Sequence, residues 1–132
     1  MARHNEIGML GERTAEVWLK KHDFSIIERN YRKKYGEIDI VARETNKKVH
    51  FIEVKTVSYE TKERLQYAVS HETWRPEENV HGNKQKRFSR TIIAWISENA
   101  YKGDWQIDII AIRIVPREKY ALIKYMDNII FE

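Results

Sequence analysis

The sequence predicts an α/β protein in which a mixed β-sheet is flanked by helices, with the element order αβββαββ. Two stretches of helical periodicity, residues 5–22 and 84–101, are separated by segments rich in β-branched and aromatic residues. Several of these segments carry apolar residues on both faces, as strands inside a covered sheet do. With 132 residues, 42% of them hydrophobic, the chain has room for one domain with a core, residues 1–132.

The first helix is predicted to begin at an Asn5 cap and to end near residue 22. Gly8 and Ala15 lie beside its apolar stripe and permit a close approach to the sheet. Glu12 projects from the edge of this small-residue side, whereas Glu16 points away and is expected to be exposed. The stripe itself consists of Ile7, Leu10, Gly11, Thr14 and Trp18.

The first strand is predicted over Phe24 to Tyr31, and two antiparallel strands joined by a hairpin follow it. Asp108 interrupts a later apolar strand, where it is expected to be a buried hydrogen-bond acceptor or a support for the site rather than a metal ligand. The hairpin strands are residues 36–42 and 51–56, and the last two strands are residues 105–115 and 120–126.

Between Ser58 and Gly82 the chain loses periodicity, although Leu65 to Val69 is compatible with a short helix. His71 and His81 lack metal-ligand spacing. The aromatic residues of this segment are interpreted as loop anchors rather than as stacking platforms for bases; they are Tyr59, Tyr67 and Trp74.

The second long helix is predicted from Lys84 to Tyr101, with Gly103 ending it. Lys84 is in phase with the inward stripe and therefore faces the sheet, where it could reach a phosphate at the site or complete an ion pair with one of the acids. Trp18 of the first helix and Trp95 of the second are interpreted as core residues. The inward stripe of the second helix consists of Phe88, Ile92, Trp95, Ile96 and Asn99.

The hairpin strands carry charges where apolar neighbours predict burial. Side chains alternate along a strand, so Glu37 and Asp39 share one face of the first hairpin strand, and Glu53 and Lys55 share one face of the second. Carboxylates in such a place need a partner. Two interpretations are open: a divalent cation held by the acids, or an ion pair of Lys55 with Glu53 or Asp39. The opposite faces are assigned to Ile38, Ile40, Ile52 and Val54.

Asp39, followed across a hairpin by Glu53-Val54-Lys55, resembles the core motif of the PD-(D/E)XK nuclease superfamily. More narrowly, the chain is similar to the YraN-like family of predicted endonucleases, which are distantly similar to archaeal Holliday-junction resolvases. The segments that carry this resemblance are Gly11-Glu12 with Ala15 and Leu19, Arg29-Asn30-Tyr31-Arg32, Gly36-Glu37-Ile38-Asp39, Phe51-Ile52-Glu53-Val54-Lys55-Thr56, Val80 with Lys84-Gln85, and Ile107-Asp108.

The resemblance implies a restriction-endonuclease-like fold and hydrolysis of phosphodiester bonds with Mg²⁺ or Mn²⁺. Asp39 and Glu53 are expected to be the principal metal ligands, with Glu12 supporting the site directly or through water. The Val54 carbonyl is implied to complete the shell, and Lys55 to orient the nucleophile and stabilise the transition state. Nucleic acid, with structured or branched DNA favoured, is the expected substrate, and similarity to resolvases suggests a homodimer.

The charge balance favours a polyanionic partner, because 24 Lys and Arg residues against 20 acids give a net charge of +4. Glu37 is ambiguous, since a second metal, Arg32 or Lys55 could each be its partner. The cationic turn before Asp39 and the second helix could equally be solvated surfaces or contacts to nucleic-acid backbone. The candidate backbone contacts are Arg29, Arg32, Lys33, Lys34, Lys84, Lys86 and Arg87.

Several other classes are disfavoured. The chain has no cysteine, which excludes disulfides and thiolate metal sites, and it shows neither a nucleophile-elbow pattern nor a Walker phosphate loop. No apolar run approaches the ~18 residues of a membrane span, and the first residues lack a signal-peptide core, so a cytoplasmic protein without membrane partners is expected. Two rival functions are open: a non-catalytic nucleic-acid-binding protein with a nuclease-like fold, and a protein-interaction adaptor in which the acids form structural ion pairs.

Overall fold

The computed structural model describes residues 2–71 and 82–130 and confirms the predicted α/β architecture and element order, with one short helix added. The added helix, α2, contains the segment around Leu65 that the sequence leaves open. The elements are α1 (Ala2–Lys21), β1 (Phe24–Lys33), β2 (Gly36–Glu44), β3 (Val49–Ser58), α2 (Lys62–His71), α3 (Asn83–Glu98), β4 (Trp105–Val115) and β5 (Tyr120–Met126), with a 3₁₀ turn at Pro116–Glu118.

The five strands form one sheet in the order β1-β2-β3-β4-β5. The pairs β1–β2, β2–β3 and β4–β5 are antiparallel, whereas β3 and β4 are parallel because the chain crosses over through α2 and α3. The sheet is therefore mixed, as predicted.

Two apolar clusters cover the two faces of this sheet. On one face, α1 contributes Ala15 and Leu19 to a cluster with residues of β2, β3 and β4. On the other face, α3 contributes Phe88, Ile92 and Trp95 to a cluster with residues of β1 to β4. Trp95 is 3% exposed and Trp18 packs against the α1 cluster, which confirms both tryptophans as core residues.

The buried line of α1 is Gly11, Ala15 and Leu19, so the helix is rotated from the predicted stripe. Leu10, which the stripe included, is 36% exposed. Gly11 rather than Gly8 makes the close approach to the sheet, because a Cβ at Gly11 would lie 1.8 Å from Thr56 Oγ1. Asn5 lies inside the helix, so the predicted cap is wrong: the helix already begins at Ala2.

Helix α3 ends at Glu98, five residues before the predicted stop at Gly103. The stop comes from Ala100, which takes a left-handed conformation at φ 49, and from the bond that the Tyr101 amide donates to the Ile96 carbonyl. Asn99 is consequently an exposed cap rather than part of the inward stripe. Thr91, which the predicted stripe did not include, is buried.

The aromatic residues predicted to anchor the segment after β3 have different fates. Tyr67 lies on α2 and is 62% exposed, so it stacks on His71 at a ring distance of 3.8 Å instead of anchoring the helix. Leu65, which is fully buried, does that. Tyr59 is half-buried. The predictions for Trp74, Val80 and His81 lie outside the described residues.

Asp108 is the buried acceptor that the sequence predicts. Its Oδ1 accepts hydrogen bonds from Gln106 Nε2 at 2.7 Å and from the Asn128 amide at 3.0 Å. Its Oδ2 lies 2.5 Å from His50 Nδ1 and accepts a bond from the Tyr125 hydroxyl. This network ties β3, β4 and the end of β5 together, and none of its members is a predicted site residue.

Over the described part of the chain, no helix has the combination of length and apolar character needed to cross a bilayer.

The contact between Gly11 and Thr56 gives the first test of the fold. We expect Gly11→Ala to lower the free energy of unfolding by about 1–3 kcal/mol, because α1 must move away from β3 to admit the methyl group. Gly8→Ala is the matched control, since a Cβ there meets nothing within 4 Å. It should leave stability unchanged or raise it by up to about 1 kcal/mol. Urea unfolding of both variants makes the comparison, and equal stability would contradict the helix position.

Candidate active site

The β2–β3 hairpin opens at Asp39. Its strands pair regularly from Arg43 with Val49 to Ile40 with Ile52, and the pairing stops there. One further step in this register would set Asp39 opposite Glu53. Instead, Asp39 Oδ2 accepts a hydrogen bond from the Val54 amide at 2.8 Å. The carboxylate takes the place of a main-chain acceptor, so the two strands separate at this point.

In both β1 and β2, the alternation of side chains between the two faces of the sheet is interrupted, and the interruptions lie at the same level. Ile40 belongs to the α1 cluster but Ile38 belongs to the α3 cluster, although residues two apart on a regular strand share a face. In β1, Arg29 contacts Glu16 of α1 while Tyr31 packs in the α3 cluster. The prediction that Ile38 and Ile40 share a face is therefore wrong.

In β1 the alternation is interrupted at Asn30, which lies between Arg29 and Tyr31. Asn30 has a left-handed backbone at φ 50, and the pairs on either side of it, Arg29 with Ile40 and Tyr31 with Ile38, place it opposite Asp39. A left-handed residue turns the strand, so the alternation of side chains restarts on the other face. On the neighbouring strand, the Asp39 side chain reaches across to β3.

Glu53 lies on the α3 side of β3 with its side chain 13% exposed. Lys55 Nζ is 3.5 Å and Lys84 Nζ 3.4 Å from Glu53 Oε2, so two ammonium groups face one carboxylate oxygen. That oxygen is nevertheless buried without a hydrogen bond among the described residues. The ion pair of Lys55 with Glu53, one of the two interpretations left open by the sequence, is thus present, whereas Asp39 forms no ion pair with any residue that the structure describes.

Asp39 is surrounded by like charge. The pKa of its carboxyl group is raised to about 7, chiefly by burial and also by the neighbouring carboxylates of Glu53, Glu12 and Glu37, while the hydrogen bond from the Val54 amide lowers it. The pKa of Lys55 is lowered, first by burial and then by the adjacent Lys84. Lys55 and Lys84 both pair with Glu53, and Lys84 also interacts with Asp39 through its charge without forming an ion pair with it.

Asn30 connects two of these acids. Its Nδ2 donates to Glu12 Oε1 at 3.1 Å and lies 3.3 Å from Glu37 Oε1. Arg32 donates to the other oxygen of Glu37 at 3.1 Å. Glu37 is therefore the partner of Arg32, and Glu12 leans over the sheet towards the site as predicted.

Asp39 lines two clefts, which we name by the helix beside each. The α3 cleft has a volume of about 490 Å³ and the α1 cleft about 220 Å³. The α3 cleft is lined by Arg32, Lys33, Lys34, Tyr35, Gly36, Glu37, Asp39, Glu53, Lys84, Arg87 and Phe88. The α1 cleft is lined by Met9, Glu12, Arg13, Glu16, Arg29, Asn30, Asp39 and Ile40.

Five of the seven cations proposed from the sequence line the α3 cleft. Among these, Lys34 and Arg87 are exposed and have no ion pair within the described parts of the chain, whereas Lys33 pairs with Glu98. Lys86 is exposed on α3 and lines neither of the two clefts. The five are Arg32, Lys33, Lys34, Lys84 and Arg87.

Arg29 differs from the other proposed cations because it lines the α1 cleft in an ion pair. Its Nε donates to Glu16 Oε2 at 2.8 Å, and its terminal nitrogen bonds the other oxygen. This pair lowers the pKa of Glu16 to about 2. Glu16 is 17% exposed, so the prediction that it is simply exposed is wrong: Arg29 and Lys20 cover it.

Comparison with known proteins shows the family to which the chain belongs. Residues 11–112 match the model of the uncharacterised protein family UPF0102. The chain belongs to this family. The match spans all the acids of the site and confirms the family resemblance, whereas assignment to the wider nuclease superfamily stays a prediction.

Bacterial UPF0102 proteins align with most of the chain. One from Trichlorobacter lovleyi is 36% identical over 107 residues, which are 80% of this chain and 76% of the relative. One from Campylobacter jejuni subsp. jejuni serotype O:23/36 is 36% identical over 126 residues, covering 94% and 93%. One from Campylobacter concisus is 34% identical over 119 residues, covering 89% of each chain.

The residues of this UPF0102 protein fit a hard divalent cation. Carboxylate oxygens are the ligands such ions prefer, Glu53 Oε2 has no hydrogen bond from a described residue, and Asp39 accepts one hydrogen bond and has three other acids near it. Within the described residues no three His, Asp or Glu side chains are grouped closely enough to hold a metal ion by themselves. Water and substrate oxygens would therefore complete the shell, as is usual for Mg²⁺. The metal-binding role of the Val54 carbonyl stays a prediction.

The half-buried Asp39 and the buried Asp108 of this protein should respond oppositely to neutralisation. In metal-free buffer at pH 8 we expect Asp39→Asn to raise the free energy of unfolding by about 1–3 kcal/mol, since the amide oxygen keeps the Val54 bond without the charge. Asp108→Asn should lower it by about 2–4 kcal/mol, because hydrogen bonds hold the pKa of that carboxyl below its usual value despite burial.

The raised pKa of Asp39 determines how the stability gain of Asp39→Asn depends on pH. A carboxyl whose pKa is about 7 folded and 3.8 unfolded destabilises the fold increasingly above pH 4 and fully above pH 7. The gain from Asp39→Asn should therefore disappear near pH 4. Chemical denaturation of parent and variants at pH 4, 6 and 8 measures it, and an Asp39→Asn protein that is less stable than the parent at pH 8 would contradict the electrostatics described here.

Proposed function

We propose that this UPF0102 protein is a divalent-cation-dependent endonuclease that hydrolyses phosphodiester bonds of nucleic acid, with structured or branched DNA as the favoured substrate. One observation carries the proposal: Asp39 meets the Val54 amide beside the unsatisfied oxygen of Glu53, in an open cleft whose other wall is cationic. Family membership and geometry support it together.

Asp39 and Glu53 would hold Mg²⁺ or Mn²⁺, with Glu12 at the edge of the site. When bound, such an ion neutralises the phosphate and lowers the pKa of a coordinated water. Hydrolysis of a phosphodiester is chiefly a matter of charge stabilisation and positioning, which is what carboxylates and ammonium groups in a fixed frame provide. The opened β2–β3 hairpin is that frame.

The two lysines around Glu53 have separate roles in this proposal. Lys55 lies on β3 with its side chain 19% exposed, so its position is set by the strand, and its ammonium group orients the attacking water and stabilises charge on the phosphate. Lys84 comes from α3 and is 44% exposed at the wall of the α3 cleft. It is placed to bind a phosphate oxygen of the substrate.

The two clefts differ in charge, which orients the substrate. The α1 cleft is lined by three acids and two arginines, one of which is paired with Glu16, whereas the α3 cleft is lined by five cations and three acids. The α3 cleft contains Lys34 and Arg87, which have no internal partner in the described structure and are free to bind phosphates. The nucleic-acid backbone therefore follows the α3 cleft, and the acids approach the scissile phosphate from the other side of Asp39.

Cleavage tests the catalytic assignment. Labelled linear, flapped and four-way DNA substrates, with RNA counterparts, are incubated with the protein and Mg²⁺ or Mn²⁺. We expect Asp39→Asn and Lys55→Ala to reduce cleavage by about a hundredfold or more while binding is retained, because charge stabilisation at the phosphate is lost. Asp104→Asn, an exposed carboxylate before β4, is the control and should cut like the parent.

Each negative outcome has a distinct meaning. Equal cleavage by parent, Asp39→Asn and Lys55→Ala would show that the site assignment is wrong. Binding without cleavage of any substrate would favour the non-catalytic nucleic-acid-binding function. Absence of both nucleic-acid and divalent-ion binding would favour the adaptor.

Binding tests the assignment of the α3 cleft. The double variant Lys34→Ala/Arg87→Ala should bind DNA more weakly and should reduce the slope of log affinity against log salt by about 1–2, since each lost phosphate contact removes about one unit. Lys48→Ala/Lys102→Ala removes the same charge at the opposite end of the sheet and is the matched control. Fluorescence anisotropy at several salt concentrations measures the DNA affinity of both double variants. Equal slopes for the two would contradict the placement of the nucleic-acid backbone in the α3 cleft.

A further inference from the structure

Asn30 stands out among the residues around the site. It has a left-handed backbone within β1, and it is the cross-strand neighbour of Asp39. Asparagine adopts this conformation more readily than most residues, so the backbone alone would explain its presence. Glycine adopts it with even less strain. Because glycine would suit this backbone better, the contacts of the asparagine side chain need a separate explanation.

The Asn30 amide holds carboxylates from two different elements. Its nitrogen bonds Glu12 of α1 and Glu37 of β2, at 3.1 Å and 3.3 Å. An amide nitrogen has two hydrogens and carries no charge, so one group can bridge two acids that would otherwise repel each other. A lysine in this place would neutralise an acid instead of presenting it.

The two carboxylates do not depend on Asn30 equally. Glu37 has a second partner in Arg32, which donates to its other oxygen. Glu12 has no other hydrogen bond or ion pair within residues 2–71 and 82–130. Loss of the amide should therefore release Glu12, which then moves away from Asp39 and Glu37 because all three are acidic.

We propose that Asn30 is a positioning residue that holds Glu12 towards the cation site. The inference rests on the proposed function, because it assigns Glu12 a part in cation binding. It adds that the uncharged amide of Asn30 on β1 connects α1 to the site. This connection fixes the position of the Glu12 carboxylate relative to the opened β2–β3 hairpin. Asn30 acts through Glu12 and touches no reacting atom.

Binding of Mn²⁺ alone, measured by electron paramagnetic resonance of the free ion, tests this without any nuclease assay. Asn30→Gly keeps the left-handed backbone and removes the amide. We expect it to bind Mn²⁺ about tenfold more weakly than the parent, at the lower end of the effect of residues that orient metal ligands, since Asn30 is exposed. Its melting temperature should stay within a few degrees of the parent.

A Glu12→Ala background separates a positioning role from a structural one. If Asn30 acts through Glu12, adding Asn30→Gly to Glu12→Ala should change Mn²⁺ affinity no further. Asn30→Ala should match Asn30→Gly in affinity but melt a few degrees lower, because a methyl group is strained at φ 50. Parent-like Mn²⁺ binding by Asn30→Gly, or an equal loss with and without Glu12, would overturn the proposal.

Asp39→Asn, measured in the same way, keeps the two proposals apart. If Asp39→Asn loses Mn²⁺ binding while Asn30→Gly does not, the role of Asn30 is wrong and the cation site stands. If Asp39→Asn binds Mn²⁺ like the parent, the cation site itself is wrong.

Discussion

The hydrogen bond from the Val54 amide to Asp39 is the interaction on which the site depends. A sheet normally satisfies each main-chain amide with a main-chain carbonyl of the next strand. Here a side chain provides the acceptor, so β2 can separate from β3 without leaving that amide unsatisfied. The separation places Asp39 at two clefts at once, which no residue in the middle of a regular ladder could reach.

Asp39 and Asp108 show two ways of burying a carboxylate in one small fold. Asp108 is fully buried, and four groups direct hydrogen bonds or a ring nitrogen at its two oxygens. Its charge is compensated within the protein, so it contributes to the structure of the sheet. Asp39 accepts one bond and faces three other acids. A stable fold gains nothing from that arrangement, whereas a site that recruits a cation does, because binding the ion relieves the repulsion.

The parts of the fold that follow from local pattern could be predicted from the sequence. The bounds of β4 and β5 follow from apolar runs that end at Pro116 and at the polar residues after Met126, and Lys84 faces the site because it is in phase with Phe88. Helix ends were less predictable, since α3 ends through a left-handed Ala100, a residue type that gives no such signal.

Candidate residues for the site could be proposed from the sequence, but the geometry around them could not. Period-two alternation assigns Ile38 and Ile40 to one face, and the rule fails where Asn30 turns β1 and Asp39 leaves the ladder. The bonds of Glu16 to Arg29 and of Glu12 to Asn30 join residues 13 and 18 positions apart, so no local pattern contains them. An asparagine inside a predicted strand was the one available signal, because few other residues accept a left-handed backbone.

The opening of the hairpin also explains how two helices on opposite faces can serve one site. A closed sheet keeps the helices on its two faces apart, since each packs about 10 Å from the strands. Glu12 of α1 and Lys84 of α3 would then act on separate surfaces. Because Asp39 reaches across to β3 in a gap of the ladder, an acidic group from one layer and a cationic group from the other approach the same carboxylates. In the proposed function, the α1 face supplies a carboxylate to the cation and the α3 face supplies cations to the phosphate, and the two meet at the level where the sheet does not separate them.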